Sequence, residues 1–189
     1  EVILLTAAML QGPVAAAPDG RGLLIAQFGA GASNLALLDL EHPGEPTPVT
    51  APPEFSEFRA SFSPDGRWLA FQSDESGQTE IYVQPFPGPG RKWQVSTAGG
   101  SYPIWSPRGG EIFYRDTAQR LTRVEVRAGA EFDAGVPEPL FTVSLGGDTS
   151  VRKIAVTPDG ERFVVLAPAG ARASSPTSVI VGWNAVLPR

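Results

Sequence analysis

The sequence predicts an all-β fold, a β-propeller built from four repeats, on three observations. A turn centred on Pro-Asp-Gly, with Arg108 in place of the aspartate in the third copy, recurs four times at a propeller-like period. Each copy is preceded by a short strand-like segment and followed by a longer apolar one. The 189 residues include 21 glycines and 19 prolines, a turn-rich composition suited to many short strands.

The four turns are Ala17-Pro18-Asp19-Gly20, Ser63-Pro64-Asp65-Gly66, Ser106-Pro107-Arg108-Gly109 and Thr157-Pro158-Asp159-Gly160. Their prolines recur at intervals of 46, 43 and 51 residues. Proline presets φ at the second position of a type I turn, and glycine takes the positive-φ position that closes a bulged hairpin. The upstream strands are expected at 60–63, 104–106 and 154–157. The downstream ones begin at Leu23, Trp68, Ile112 and Phe163 and run almost continuously apolar, as strands packed on both faces do. Third strands are expected at 34–39, 80–84, 121–126 and 177–182. Short outer strands follow near 48–49, 93–96 and 139–143. The units therefore span 12–50, 55–98, 100–146 and 150–186, forming either a complete four-bladed ring or the C-terminal part of a larger propeller. The last unit lacks a fourth strand, and residues 1–7, with Val2-Ile3-Leu4-Leu5, are a candidate closing strand or a loose apolar edge through which copies could associate.

Composition excludes several function classes. A net charge of −5 argues against a general nucleic-acid binder, which needs a basic surface against phosphates. The chain has no cysteine, so disulfides and thiolate metal sites are excluded. The apolar stretch Glu1–Leu10 is too short to span a bilayer and carries no basic leader, so the chain is expected to derive from a longer product.

The residues that recur with the repeat carry a resemblance. Ser63-Pro64-Asp65-Gly66-Arg67-Trp68-Leu69-Ala70-Phe71, with Ser73-Asp74-Glu75-Ser76-Gly77 and Glu80-Ile81-Tyr82-Val83, resembles the WD-like repeats of Tol-type periplasmic propellers. The run from Val83 through Pro85-Phe86-Pro87-Gly88 to Ser96 is similar to the C-terminal propeller of bacterial membrane-anchored serine/threonine protein kinases, as are Ser101–Ser106 and Val179–Asn184. The resemblance is specific from about Phe55 onward and looser before it. It implies a propeller in a periplasmic or other extracytoplasmic setting, tethered to the membrane in a full-length protein, with a sensory or interaction role. No kinase domain is present, and Gly29-Ala30-Gly31-Ala32-Ser33 is no phosphate loop, because a strand follows it.

No catalytic constellation emerges from the sequence. The single histidine, His42, stands in a Glu-His-Pro-Gly turn, where a solvated loop residue is expected rather than a triad member. Asp19, Asp65 and Asp159 occupy one place in three turns, which turn chemistry alone explains. Asp74, Glu75 and Glu80 are weak candidates for a metal, without EF-hand spacing. No cofactor is expected. The reading is a non-catalytic binding or sensor propeller for a protein, a peptide or a small acidic ligand. Its alternatives are a lactonase- or glycosidase-like propeller enzyme, or the propeller of a prolyl-oligopeptidase-type peptidase. Loop ends converge at one mouth of a propeller channel, and five residues before each turn proline stand Pro13, Arg59, Tyr102 and Lys153. Arg59, Tyr102, Arg152 and Lys153 are thus the candidate ligand-binding residues, suited to an anionic group.

Overall fold

In the computed structural model the described residues are 11–29, 32–50, 54–88, 90–143, 154–166 and 177–181. They form β-strands, turns and bends with no helix, so none is long and apolar enough to cross a membrane. The strands assemble into four antiparallel sheets. The first runs β1 (Gln11–Ala16), β2 (Gly22–Phe28), β3 (Ser33–Asp39) and β4 (Thr47–Pro48). The second runs β5 (Glu57–Phe62), β6 (Trp68–Ser73), β7 (Glu80–Pro85) and β8 (Trp93–Gln94). In the third, β9 (Ser101–Trp105) and β10 (Glu111–Arg115) lead to β11 (Arg120–Ala128), which pairs with both β12 (Phe132–Ala134) and β13 (Glu138–Thr142). The fourth holds β14 (Ile154–Val156), β15 (Arg162–Leu166) and β16 (Thr177–Val181). This is a β-propeller fold, with consecutive strands laid side by side. The expected closing strand at Val2–Leu5 lies outside the described residues.

The repeated turn forms as its chemistry dictates. Gly20, Gly66, Gly109 and Gly160 have φ of 74°, 70°, 70° and 69°, where any Cβ would be strained. Each donates its N–H to the carbonyl three residues back, at 2.8–2.9 Å. The aspartate locks the loop: Asp65 accepts from Ser63 Oγ at 2.6 Å, from the Arg67 N–H at 3.1 Å and from Arg67 Nε at 2.7 Å. Ser63 Oγ in turn accepts from the Trp68 N–H at 3.0 Å. Thr157 and Asp159 repeat the arrangement, with the Arg162 N–H on Thr157 Oγ at 3.1 Å. The serine hydrogen bond, seconded by Arg67, lowers the Asp65 pKa to about 2, and the Thr157 hydroxyl lowers that of Asp159 to about 2.

Sheet packs on sheet through three apolar clusters. Leu24, Leu35, Ala60, Leu69 and Phe71 join the first sheet to the second. Trp68, Ile81, Trp105, Ile112 and Val124 join the second to the third. Phe113, Leu121, Ile154 and Phe163 join the third to the fourth, with the Phe113 and Phe163 rings edge to face at 4.9 Å. Burial of each leucine, isoleucine, valine or phenylalanine side chain here contributes about 1.5–3 kcal/mol. All six residues of β6 are buried, the two-faced burial that its continuous apolarity predicts. Strand β12 was not expected. It carries Phe132 into a box with Trp68, Trp93 and Trp105, at ring distances of 5.5, 5.7 and 6.3 Å.

Candidate ligand-binding cavity at the inner strands

The first strands of the four sheets face a common cavity of about 530 Å³. Strand β1 contributes Pro13 and Val14, β5 contributes Phe58 and Arg59, and β9 contributes Tyr102 and Ile104. Ile154 of β14 adds a fourth side, and Phe28 of β2, 42% exposed, stands in the lining where it meets solvent.

A bulge in each of the first three inner strands builds this lining. Pairing of β1 with β2 skips Val14, and pairing of β5 with β6 skips Arg59. In β9, Tyr102 and Pro103 together oppose Tyr114 of β10. Arg59 and Tyr102 sit at these bulges with φ of 49° and 59°, the left-handed region that non-glycine residues rarely occupy. Hydrogen bonds between sheets hold the bulges in place. The Tyr102 N–H donates to Gln72 Oε1 at 3.1 Å, and the Trp105 N–H donates to Ser61 Oγ at 3.0 Å. Ser33 Oγ donates to the Glu57 carbonyl at 3.2 Å.

The outcome is a cation laid on an aromatic ring. The Arg59 guanidinium carbon lies 4.2 Å from the Tyr102 ring centroid and 5.9 Å from that of Phe58. Two residues before Arg59, the buried Glu57 carboxylate binds Lys92 Nζ at 2.8 Å, and Glu75 binds the same amine at 2.7 Å. Burial disfavours the Lys92 ammonium, yet the hydrogen bonds to Glu57 and Glu75 outweigh it and hold its pKa above the usual lysine value.

The structure thus brings Pro13, Arg59 and Tyr102 to one cavity, while Arg152 and Lys153 lie outside the described residues. Two details differ from the sequence reading. Arg59 and Tyr102 stand inside their strands, not before them, and the bulged residue of β1 is Val14, one place after Pro13. The three metal candidates each have protein partners. Asp74 accepts from the Ser56 N–H at 2.8 Å, Glu75 binds Lys92, and Glu80 accepts from Ser96 Oγ, from the Gly99 N–H at 2.8 Å and from Gln78 Nε2 at 2.6 Å. Among the described residues no three His, Asp or Glu side chains group as a metal site. His42 is exposed in its loop beside Asp39. Sequence reasoning missed the apolar wall of Phe28, Phe58 and Ile154; Phe58 lies beside the Arg59 bulge, and the other two carry no local sequence signal. It also missed Lys92, which lies 35 residues from Glu57.

No protein-family model matches the chain. An uncharacterized protein of Agrobacterium fabrum is 30% identical over 111 residues, 56% of this chain and 38% of that protein. A protein assigned as TolB in Agrobacterium tumefaciens superposes with a TM-score of 0.59 at 20% identity, over 79% of this chain and 51% of its own. TolB from Acinetobacter baumannii superposes with a TM-score of 0.52 at 17% identity, over 95% of this chain and 53% of its own. The chain spans about half the length of these two structures. At these identities the likeness is one of fold, and the fold is that of the TolB-like β-propellers.

Proposed function

We propose that the chain is a non-catalytic binding propeller, serving as a sensor or interaction module in a bacterial envelope protein, and that its ligand presents an anionic group to Arg59. The observation that carries this reading is the convergence of bulged inner strands on one cavity, two of them in strained backbone conformations with their side chains stacked on each other. Strain of this kind persists where the surrounding structure enforces it, and such places cluster at ligand sites. Among the described lining residues Arg59 and Tyr102 are the ionisable ones. Neither is the carboxylate or imidazole that general acid–base chemistry most often uses, which favours binding over turnover. The envelope setting draws support from the Tol-type and kinase-linked resemblance of residues 63–96 and from the TolB fold.

The test is a binding titration against acidic peptides and small anions, comparing the wild-type chain with Arg59→Ala and Lys153→Ala. Loss of affinity in Arg59→Ala is expected. Unchanged affinity in both variants, for any ligand that binds, removes this cavity as the site.

A further inference from the structure

Strand β12, which has no counterpart in the other sheets among the described residues, bears on the cavity at a distance. We infer that Phe132 is a positioning residue for the cavity: wedged between one end of β6 and one end of β9, it holds the spacing of the two strands whose other ends seat Tyr102 in the cavity wall. Its bearing on ligand binding rests on the function proposed above, and its bearing on Tyr102 does not.

The same two strands carry both ends of this arrangement. Strand β6 starts at Trp68, next to the Pro64-Asp65-Gly66 turn, and has Gln72 as its fifth residue. Strand β9 has Tyr102 as its second residue and ends at Trp105, next to the Pro107-Arg108-Gly109 turn. Phe132 lies against both turn ends, 5.5 Å from the Trp68 ring and 6.3 Å from that of Trp105. At the cavity ends the Tyr102 N–H donates to Gln72 Oε1 at 3.1 Å. Side chains alternate between the faces of a strand, so Trp68, Ala70 and Gln72 all face the third sheet. Ala70 reaches no farther than a methyl, so the contacts at the two ends carry the spacing of β6 and β9.

Phe132 is the anchor of its ribbon. Strand β12 pairs with β11 at Val126–Ala128, past Glu125, the last residue that β11 pairs with β10. Phe132 is 4% exposed, while Glu131 and Asp133 on either side of it are exposed. Trp93 closes the box around the ring at 5.7 Å. Trp68 Nε1 is buried and has no hydrogen-bond partner among the described residues, so packing holds that indole and a change in packing moves it.

Tyr102 is where such a movement registers. Its φ of 59° is a conformation that persists only while the surroundings enforce it. With the wedge removed, the three tryptophans close on the space and β6 and β9 draw together at their turn ends. The hydrogen bond from Tyr102 to Gln72 at the other ends then loses its alignment. Tyr102 relaxes toward ordinary strand backbone, and its ring leaves the place where the Arg59 guanidinium carbon lies 4.2 Å from its centroid.

The experiment is amide hydrogen exchange followed by NMR on the 189-residue chain, in wild type, Phe132→Ala, Phe132→Leu and Leu35→Ala. Leu35, fully buried in the cluster between the first and second sheets, is the control for loss of stability alone. Rates are compared at urea concentrations that give every variant the same global stability. The reporters are the Tyr102 and Trp105 amides, which donate from β9 to the second sheet. Phe132→Ala should speed their exchange about tenfold or more over Leu35→Ala. Phe132→Leu refills most of the box and should restore most of the protection. Equal rates in Phe132→Ala and Leu35→Ala overturn the inference, and so does a leucine variant no better protected than the alanine one. If Phe132→Ala does not fold, Phe132→Val takes its place in the same comparison. No ligand enters this measurement, so its failure leaves the proposed binding function standing. Failure of anion binding, in turn, leaves the role of Phe132 in placing Tyr102 intact.

Discussion

Replacing Arg59 by alanine and by glycine separates the backbone from the guanidinium. Both variants delete the side chain, and they differ in how they tolerate a φ of 49°. Alanine held in the left-handed region costs about 1–2 kcal/mol, which glycine escapes. The greater freedom of glycine in the unfolded chain takes back about 0.4–1 kcal/mol. Arg59→Gly should therefore be more stable than Arg59→Ala by roughly 0.5–1 kcal/mol. The next residue provides the contrast, because Ala60 is fully buried and pairs with Phe71. There, alanine to glycine costs about 0.5–1 kcal/mol of backbone freedom, and about 0.8 kcal/mol more for the lost methyl. The same exchange thus changes sign between adjacent residues. Urea unfolding followed by the fluorescence of the four tryptophans measures both differences from midpoints at a common slope. An Arg59→Ala variant as stable as Arg59→Gly, or more so, refutes the strained bulge.

Gly100→Ala should destabilise the chain by about 1–3 kcal/mol, because a Cβ there would lie 2.5 Å from Ser96 Oγ and 2.8 Å from Ile81 Cγ1; thermal melting measures it. Lys92→Ala leaves the Glu57 carboxylate, 3% exposed, without this ammonium, and should cost about 2–3 kcal/mol, less than a fully buried pair because Lys92 and Glu75 still reach water. The same urea unfolding on Lys92→Ala combined with Glu57→Gln should show part of that loss recovered. Asp65 has a folded pKa lowered to about 2, chiefly by Ser63, so its carboxylate stabilises the fold above an unfolded value of about 4 and that contribution disappears as pH falls toward 2. The stability gap between wild type and Asp65→Asn should close over that window, and a gap independent of pH would remove the carboxylate from the turn's energetics.

Much of the scaffold was legible because turn chemistry is local. A proline, an aspartate and a glycine within four residues determine a backbone path, and the Asp65 and Asp159 contacts all lie within three residues. The continuous apolar runs announced two-faced packing, and β6 and β7 are buried along almost their whole length. What escaped was set by distance in the chain. Phe132 reaches Trp68 across 64 residues through a strand that only the third sheet possesses, so no repeat pattern could signal it. Glu80 looked like a spare carboxylate beside Asp74 and Glu75, yet it is fully buried and fastens Ser96 and Gly99 at the crossing to the next sheet. The candidate cavity was half legible: counting back from the prolines found Arg59 and Tyr102, but their left-handed backbone and their stacking depend on hydrogen bonds from neighbouring sheets.

The scaffold and the cavity make opposite demands on an inner strand, and the bulge reconciles them. A regular strand turns alternate side chains to its two faces, and in a propeller both faces meet neighbouring sheets. Strand β5 shows this: Ala60 and Phe62 pack in the cluster shared with the first sheet, while Ser61 accepts the Trp105 N–H from the third. An unbroken alternation would commit every residue to an interface and leave none for a ligand. An extra residue interrupts the alternation, so its side chain is released from the pleat while the strand on either side keeps its register. Val14, Arg59 and Tyr102 occupy such places, and all three line the cavity. Because Gln72 anchors the Tyr102 bulge through the backbone N–H, the side chain at that position can change without loss of the hydrogen bond that holds it. Under the proposed binding function, the bulged residues would meet the ligand together with lining neighbours such as Pro13 and Phe58, while Ala60, Ser61 and Phe62 keep the strand packed between sheets.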